Sequence, residues 1–176
     1  IVLLAVPGFL ISGELIKIKP YLKSDTYVGS VFSSTGFFFE AMELFEGDVP
    51  LWGFQRVPFI ARTNVYGESA HLLGYKNSHN IAIERCEDKE GFRAIIEELF
   101  DAPVRLLNNY YEASFTNSNP ILHPSRLYTL FKDWNTEVYY DHQFLFYEDW
   151  TDEASKLLIA LDGELFSLLG KLPVAP

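Results

Sequence analysis

Ile1-Val2-Leu3-Leu4-Ala5-Val6-Pro7-Gly8 opens the chain, and its reading decides the fold. Six apolar residues with no polar alternation, stopped by Pro7 and Gly8, predict a strand buried on both faces. Residues 8–22 then follow helical spacing as far as Pro20, and a second short apolar run at 26–32 predicts another buried strand. Strand, crossover helix and strand make a β-α-β unit, the building block of doubly wound sheets, where ligands sit at the carboxyl ends of the strands. Val6-Pro7-Gly8 and Ser33-Ser34-Thr35-Gly36 are two such ends, although turn chemistry alone accounts for either taken singly.

Working outward, a helix is expected over 37–46, followed by Leu51-Trp52-Gly53-Phe54-Gln55 and then Arg56-Val57-Pro58-Phe59-Ile60-Ala61-Arg62. Residues 70–74 and 80–84 flank Tyr75-Lys76-Asn77-Ser78-His79 and read as a hairpin, an antiparallel appendix to a parallel sheet. From Asp88 the pattern changes, with Phe92, Ile95, Ile96, Leu99 and Phe100 recurring at helical spacing. The fold class expected is therefore α/β, a Rossmann-like second half over residues 1–87, followed by an all-α domain over 88–176. That domain should hold helices near 109–116, from Asn119 to about Lys132, and over 152–169. In the last of these, Leu157, Leu158, Leu161, Leu165, Leu168 and Leu169 form one apolar stripe, ending at Gly170 with Pro173 just beyond. The stripe reads first as a core face. Its rival reading, a non-catalytic helical module docking a partner subunit, stays open.

With 176 residues, nearly half of them hydrophobic, the chain has ample material for a core. A net charge of -10 with no basic cluster argues against binding nucleic acid through its phosphates. The opening apolar run is too short to span a bilayer, and no basic stretch precedes it as a signal peptide would require, so a cytoplasmic protein that binds no membrane is expected. The single cysteine, Cys86, excludes an internal disulfide and reads as a small buried apolar residue. His71, His79 and His142 read as surface or structural residues, since none has a second ligand at metal spacing, and no metal is expected. The strand already under way at Ile1 suggests the middle of a larger protein.

The run Asn117-Ser118-Asn119-Pro120-Ile121-Leu122-His123-Pro124-Ser125-Arg126 carries the chemistry. Asn119 suits an N-cap and Pro120 the first helical position, which sets His123 in or just after the first turn. There the positive end of the helix dipole disfavours imidazolium and attracts a carboxylate. A neutral base beside an anionic substrate fits such a place.

The chain resembles the opine dehydrogenases, the octopine and nopaline dehydrogenase family. The likeness runs from Ala5-Val6-Pro7 through Val57-Pro58-Phe59-Ile60-Ala61-Arg62 and Gly74-Tyr75-Lys76 to Glu112-Ala113-Ser114-Phe115-Thr116 and the Asn-Pro-x-x-His-Pro string, its most specific part. The resemblance implies an NAD- or NADP-dependent oxidoreductase that joins an amino acid to a 2-oxo acid and reduces the imine. The amino half would bind the dinucleotide, the helical half the amino acid, and His123 would be catalytic. Val6, Pro7 and Gly8 would lie under the dinucleotide, and Ala61 and Arg62 near the substrate. Arg126 or Arg62 would clamp a substrate carboxylate with its planar guanidinium. Asn117 and Asn119 would present amides, capping being the plainer use of Asn119. The family's Gly-rich phosphate loop and the acidic partner of its histidine have no counterpart within residues 1–176, so this stretch alone is expected to be inactive. The expected partners are the two small substrates, with a homodimer as the candidate assembly. A related 2-oxo acid or hydroxy acid dehydrogenase of the same architecture is the nearest enzyme alternative.

Overall fold

The computed structural model describes residues 1–47 and 49–173. They fall into two compact units, Ile1–Asn117 and a second beginning at Ser118.

The first unit is built on a five-stranded sheet in the order β1 (Val2–Leu4), β2 (Val28–Ser30), β3 (Leu51–Phe54), β6 (His79–Glu84), β7 (Val104–Leu106). Strands β1, β2 and β3 are parallel, in register through Val2, Val28 and Leu51. Helices α1 (Ile11–Ile18) and α2 (Phe37–Leu44) make the crossovers, so the β-α-β reading of the opening residues holds. β6 runs antiparallel to β3, and β7 parallel to β6. Side chains alternate across this sheet. Val28, Leu51 and Ala82 face a core completed by Ile11 and Leu15 of α1 and Phe37, Phe38 and Ala41 of α2, together with Ala113. Trp52, Phe54, Ile81 and Ile83 face a second core completed by Phe92 and Ile96 of α3 (Lys89–Phe100). Each of these large side chains, fully buried, contributes about 1.5–3 kcal/mol relative to exposure. Gly29 is required in β2 because a Cβ there would stand 2.3 Å from the Trp52 indole nitrogen.

Two expectations for this unit are corrected. The hairpin joins β4 (Phe59–Val65) to β5 (Ser69–Tyr75) and does not join residues 70–74 to 80–84. Its turn closes through the Glu68 N–H on the Val65 carbonyl at 3.0 Å, with Gly67 at φ 77°, a positive φ that glycine adopts without steric cost. β6 is drawn elsewhere because Ile81, Ala82 and Ile83 are apolar on both faces, and only the interior of the main sheet buries both. The composition change at Asp88 marks α3, capped by the Asp88 carboxylate on the Gly91 N–H, and not the edge of a compact unit. α3 and β7 complete the second core, so the division falls after Asn117 and residues 88–117 are not all helical. Residues 174–176 of the expected helical domain lie outside the described residues.

The second unit holds α5 (Asn119–Phe131), α6 (Asp152–Leu169) and an aromatic connection between them. Thr151 caps α6 by accepting from the Ala154 N–H, and Lys132 at the end of α5 pairs with Glu153 at 2.5 Å. Ala154 is fully buried, while Leu157, Leu158, Leu161, Leu165 and Leu169 are half-buried and Leu168 is exposed. The stripe is thus a partial core face. Gly170 is the C-cap as expected, in the right-handed conformation. At the other helix the cap is Ser118, whose carbonyl accepts from the Ile121 and Leu122 N–H groups, and Asn119 is the first helical residue.

Candidate functional site

Two groups of residues carry the chemistry expected of the chain, one in each unit.

In the first unit, β1 and β2 end side by side, tied by the Val31 N–H on the Leu4 carbonyl at 3.0 Å. Ala5, Val6, Pro7 and Gly8 leave β1, and Ser33–Thr35 form a single 3-10 turn after β2. Gly8 allows the two ends to close on each other, since a Cβ there would stand 3.2 Å from Thr35 Cβ. The Ser33 and Ser34 hydroxyls are buried and have no hydrogen-bond partner among the described residues. Gly36, at φ 87°, then turns the chain into α2, leaving that helix without a side-chain cap on its first N–H groups. Glycine serves again at Gly53 in β3, where a Cβ would meet Ser33 Oγ at 2.4 Å. Buried hydroxyls without partners among the described residues thus lie next to uncapped helical N–H groups at the carboxyl ends of parallel strands, donors of the kind that a polar or anionic ligand uses. Val6, Pro7 and Gly8 follow β1 at this edge of the sheet. The sequence marks Ser33 and Ser34 as a strand end of the kind that holds ligands, or as plain turn residues; their burial, with Ser33 against Gly53, is visible only in the fold.

At the end of β3, Gln55 joins a polar relay. Asn80 Nδ2 donates to Gln55 Oε1 at 2.9 Å, Gln55 Nε2 donates to Thr116 Oγ1 at 2.5 Å, and Thr116 Oγ1 donates to the Glu112 carbonyl. The relay fixes α4 (Tyr110–Phe115) to the sheet beside Asn117, which is buried. Glu112, also buried, accepts from the Asn108 side-chain amide at 2.6 Å.

In the second unit, His123 is the fifth residue of α5 and is half-buried. Its ring meets Phe146 edge to face. Arg126, one turn further along and 2% exposed, donates from Nε to the Phe146 carbonyl at 3.2 Å, so the guanidinium anchors the segment that carries the ring. Arg62 lies exposed on β4 beside Ala61, its Nη1 donating to the Ala61 carbonyl. Asn119 is exposed at the start of α5. Among the described residues no cluster of three His, Cys, Asp or Glu could hold a metal ion, and no helix is long and apolar enough to cross a membrane.

Comparison with known proteins gives one family match, over the later residues, and several likenesses over nearly the whole chain. Residues 106–175 match the family described as NAD/NADP octopine/nopaline dehydrogenase, alpha-helical domain. An uncharacterized protein of Sinorhizobium fredii is 30% identical over 173 residues, 93% of this chain and 45% of that protein. The opine dehydrogenase of Haliotis discus hannai is 22% identical over 94% of the chain and 42% of its own length. Among solved structures, octopine dehydrogenase with NADH and L-arginine superposes with a TM-score of 0.80 at 18% identity, over 97% of this chain and 44% of that one, which establishes the shared fold. The chain spans less than half the length of these curated relatives.

Proposed function

We propose that the chain belongs to the opine dehydrogenase family, and that the enzyme in which it works is an NAD- or NADP-dependent oxidoreductase that condenses an amino acid with a 2-oxo acid reductively. The observation that carries this reading is His123, half-buried in the early turns of α5 within the segment that matches the family. The relatives named opine and tauropine dehydrogenase, and the octopine dehydrogenase structures holding NADH with L-arginine or pyruvate, support the same reaction class.

The residues of the first unit fit a dinucleotide. Val6, Pro7 and Gly8 would run beneath it, and the partnerless Ser33 and Ser34 hydroxyls would hydrogen-bond its polar edge. When bound, the nicotinamide supplies the hydride. The remaining chemistry belongs to the side chains. A neutral His123 imidazole accepts a proton from the ammonium of the amino acid, freeing the lone pair that attacks the 2-oxo carbon, and returns a proton as water leaves and the secondary amine forms. The exposed Arg62 guanidinium is the more accessible candidate for a substrate carboxylate, and Arg126, tied to Phe146, holds the histidine's surroundings. Asn117 and Asn119 bracket the entry into α5 and would present polar groups to the substrate.

The test is consumption of NADH or NADPH by the whole enzyme with pyruvate alone and with pyruvate plus an amino acid. Amine-dependent turnover is expected. Equal turnover without the amine would move the assignment to a 2-oxo acid reductase of the same architecture, and no turnover with any pair would favour a non-catalytic module.

A further inference from the structure

At the base of the β4–β5 ribbon, within the first unit, lies a cavity of about 390 Å³ lined by Phe59, Tyr75, Lys76, His79, Phe100 and Asp101, among others. It shares no residue with the groups at the ends of β1 and β2. Its walls are aromatic. Phe59 stacks on Phe100 with centroids 5.9 Å apart and meets Tyr75 edge to face at 5.7 Å, and the His79 imidazole stands edge-on to Phe100 at 5.8 Å and to Phe54 at 5.3 Å.

Two of its nitrogen-bearing side chains lack a hydrogen-bonding side-chain partner among the described residues. His79 is 4% exposed, and its Nδ1 is buried with no partner among the described residues. Lys76 is half-buried, and neither it nor Arg56 has a carboxylate within ion-pair distance among the described residues, although Asp101 also lines the cavity. Burial, and then the nearby Arg56, push the Lys76 ammonium below its ordinary range; burial, and then Lys76, do the same to His79. A half-buried ammonium with a second cation nearby is relieved by an anion. The unpartnered His79 ring nitrogen offers a hydrogen bond at the same cavity. A small inorganic anion would leave the aromatic walls unfilled, and a hydrocarbon would leave the cations unpaired. Both features are satisfied together by one ligand type, an acid carried on a flat apolar body.

We propose that this cavity is a binding site for a small aromatic carboxylate, its carboxylate pairing with Lys76 and its ring lying among Phe59, Tyr75 and Phe100. The site is independent of the proposed dinucleotide site, so either assignment can fail without the other.

Isothermal titration of the whole chain with benzoate tests the site, with benzyl alcohol as the neutral counterpart, inorganic phosphate as the bare anion, and Lys76→Met as the variant that keeps the apolar stem. Expected is saturable one-to-one binding of benzoate, weakened at least tenfold in Lys76→Met and by the loss of charge in benzyl alcohol, with phosphate weaker than benzoate. The imidazole signals of His79 should shift on adding benzoate to the parent chain. Absence of saturable binding at millimolar benzoate, equal affinity in Lys76→Met, or phosphate binding as tightly as benzoate would each overturn the proposal.

Discussion

The rings of His123 and Phe146 meet edge to face, their centroids 5.5 Å apart and their planes 88° from parallel. Twenty-three residues separate them in sequence, and the Phe146 carbonyl is at the same time held by Arg126 Nε. One residue thus braces the imidazole with its ring while its backbone is pinned by the guanidinium one turn away on the same helix. An edge-to-face aromatic contact is worth about 0.5–1.5 kcal/mol beyond the area it buries.

Phe146→Ala is therefore expected to lower kcat about threefold to tenfold through a less well-positioned imidazole, with KM for the nicotinamide cofactor unchanged. Because the carbonyl is retained, the Arg126 contact survives. Phe146→Leu, which fills the volume without the aromatic edge, should recover folding stability before it recovers kcat. Steady-state kinetics on both variants check this.

Ser33→Ala removes a buried hydroxyl that has no partner among the described residues. An unpaired buried hydroxyl is a cost to the fold, so the variant should be as stable as the parent or more stable by about 1 kcal/mol. If the hydroxyl serves the dinucleotide, NADH affinity should fall about tenfold, or ~1.4 kcal/mol. Denaturant unfolding paired with NADH titration separates the two effects. Loss of stability with unchanged NADH affinity would make Ser33 structural.

Gly29→Ala places a Cβ 2.3 Å from the Trp52 indole nitrogen and 2.4 Å from its ring carbon. Either β2 or the fully buried indole must then shift, so the substitution should cost about 1–3 kcal/mol and lower the thermal midpoint by several degrees. Trp52→Phe in the same background should restore part of the loss.

Burial, then Lys76, hold the His79 imidazole below its ordinary pKa. In the unfolded chain the imidazole takes up a proton near its usual value, so between that value and the lowered one the unfolded state binds more protons. The contribution of His79 to stability is accordingly complete at neutral and higher pH and is lost as pH falls below about 6.5, the ordinary histidine value, toward the folded one. Thermal midpoints measured at pH 8 and pH 5 should differ less in His79→Phe than in the parent.

Much of this was legible in the sequence for identifiable reasons. Ile1–Val6 and the run at 26–32 became β1 and β2; β2 is buried throughout as that reading requires, whereas β1, at the edge of the sheet, is only partly buried. The Leu-rich periodicity of α6 and the Asp88 cap of α3 are local signals, and locally encoded elements form where they are read. The hairpin was misplaced because strand pairing is settled by partners distant in sequence. The Tyr66-Gly67 turn was the available local cue, and the two-faced apolarity of Ile81-Ala82-Ile83 was the cue that β6 lies within the main sheet, where it forms the antiparallel part against β3. The unit boundary was displaced because β7 is only three residues long, too short to announce a strand among helices. At the candidate site, His123 and Pro7-Gly8 stand out by residue type. The burial of Ser33 and Ser34, the fixing of Arg126 by Phe146 and the cavity around His79 exist only once distant segments meet.

Replacing His123 by glutamine in the whole enzyme, and following amine-dependent oxidation of NADH, tests the central claim most directly. Loss of about 10²–10⁴-fold in kcat, with NADH affinity and thermal midpoint unchanged, is the result predicted for a residue that transfers the proton. Turnover within twofold of the parent would contradict it and move the chemistry to another group.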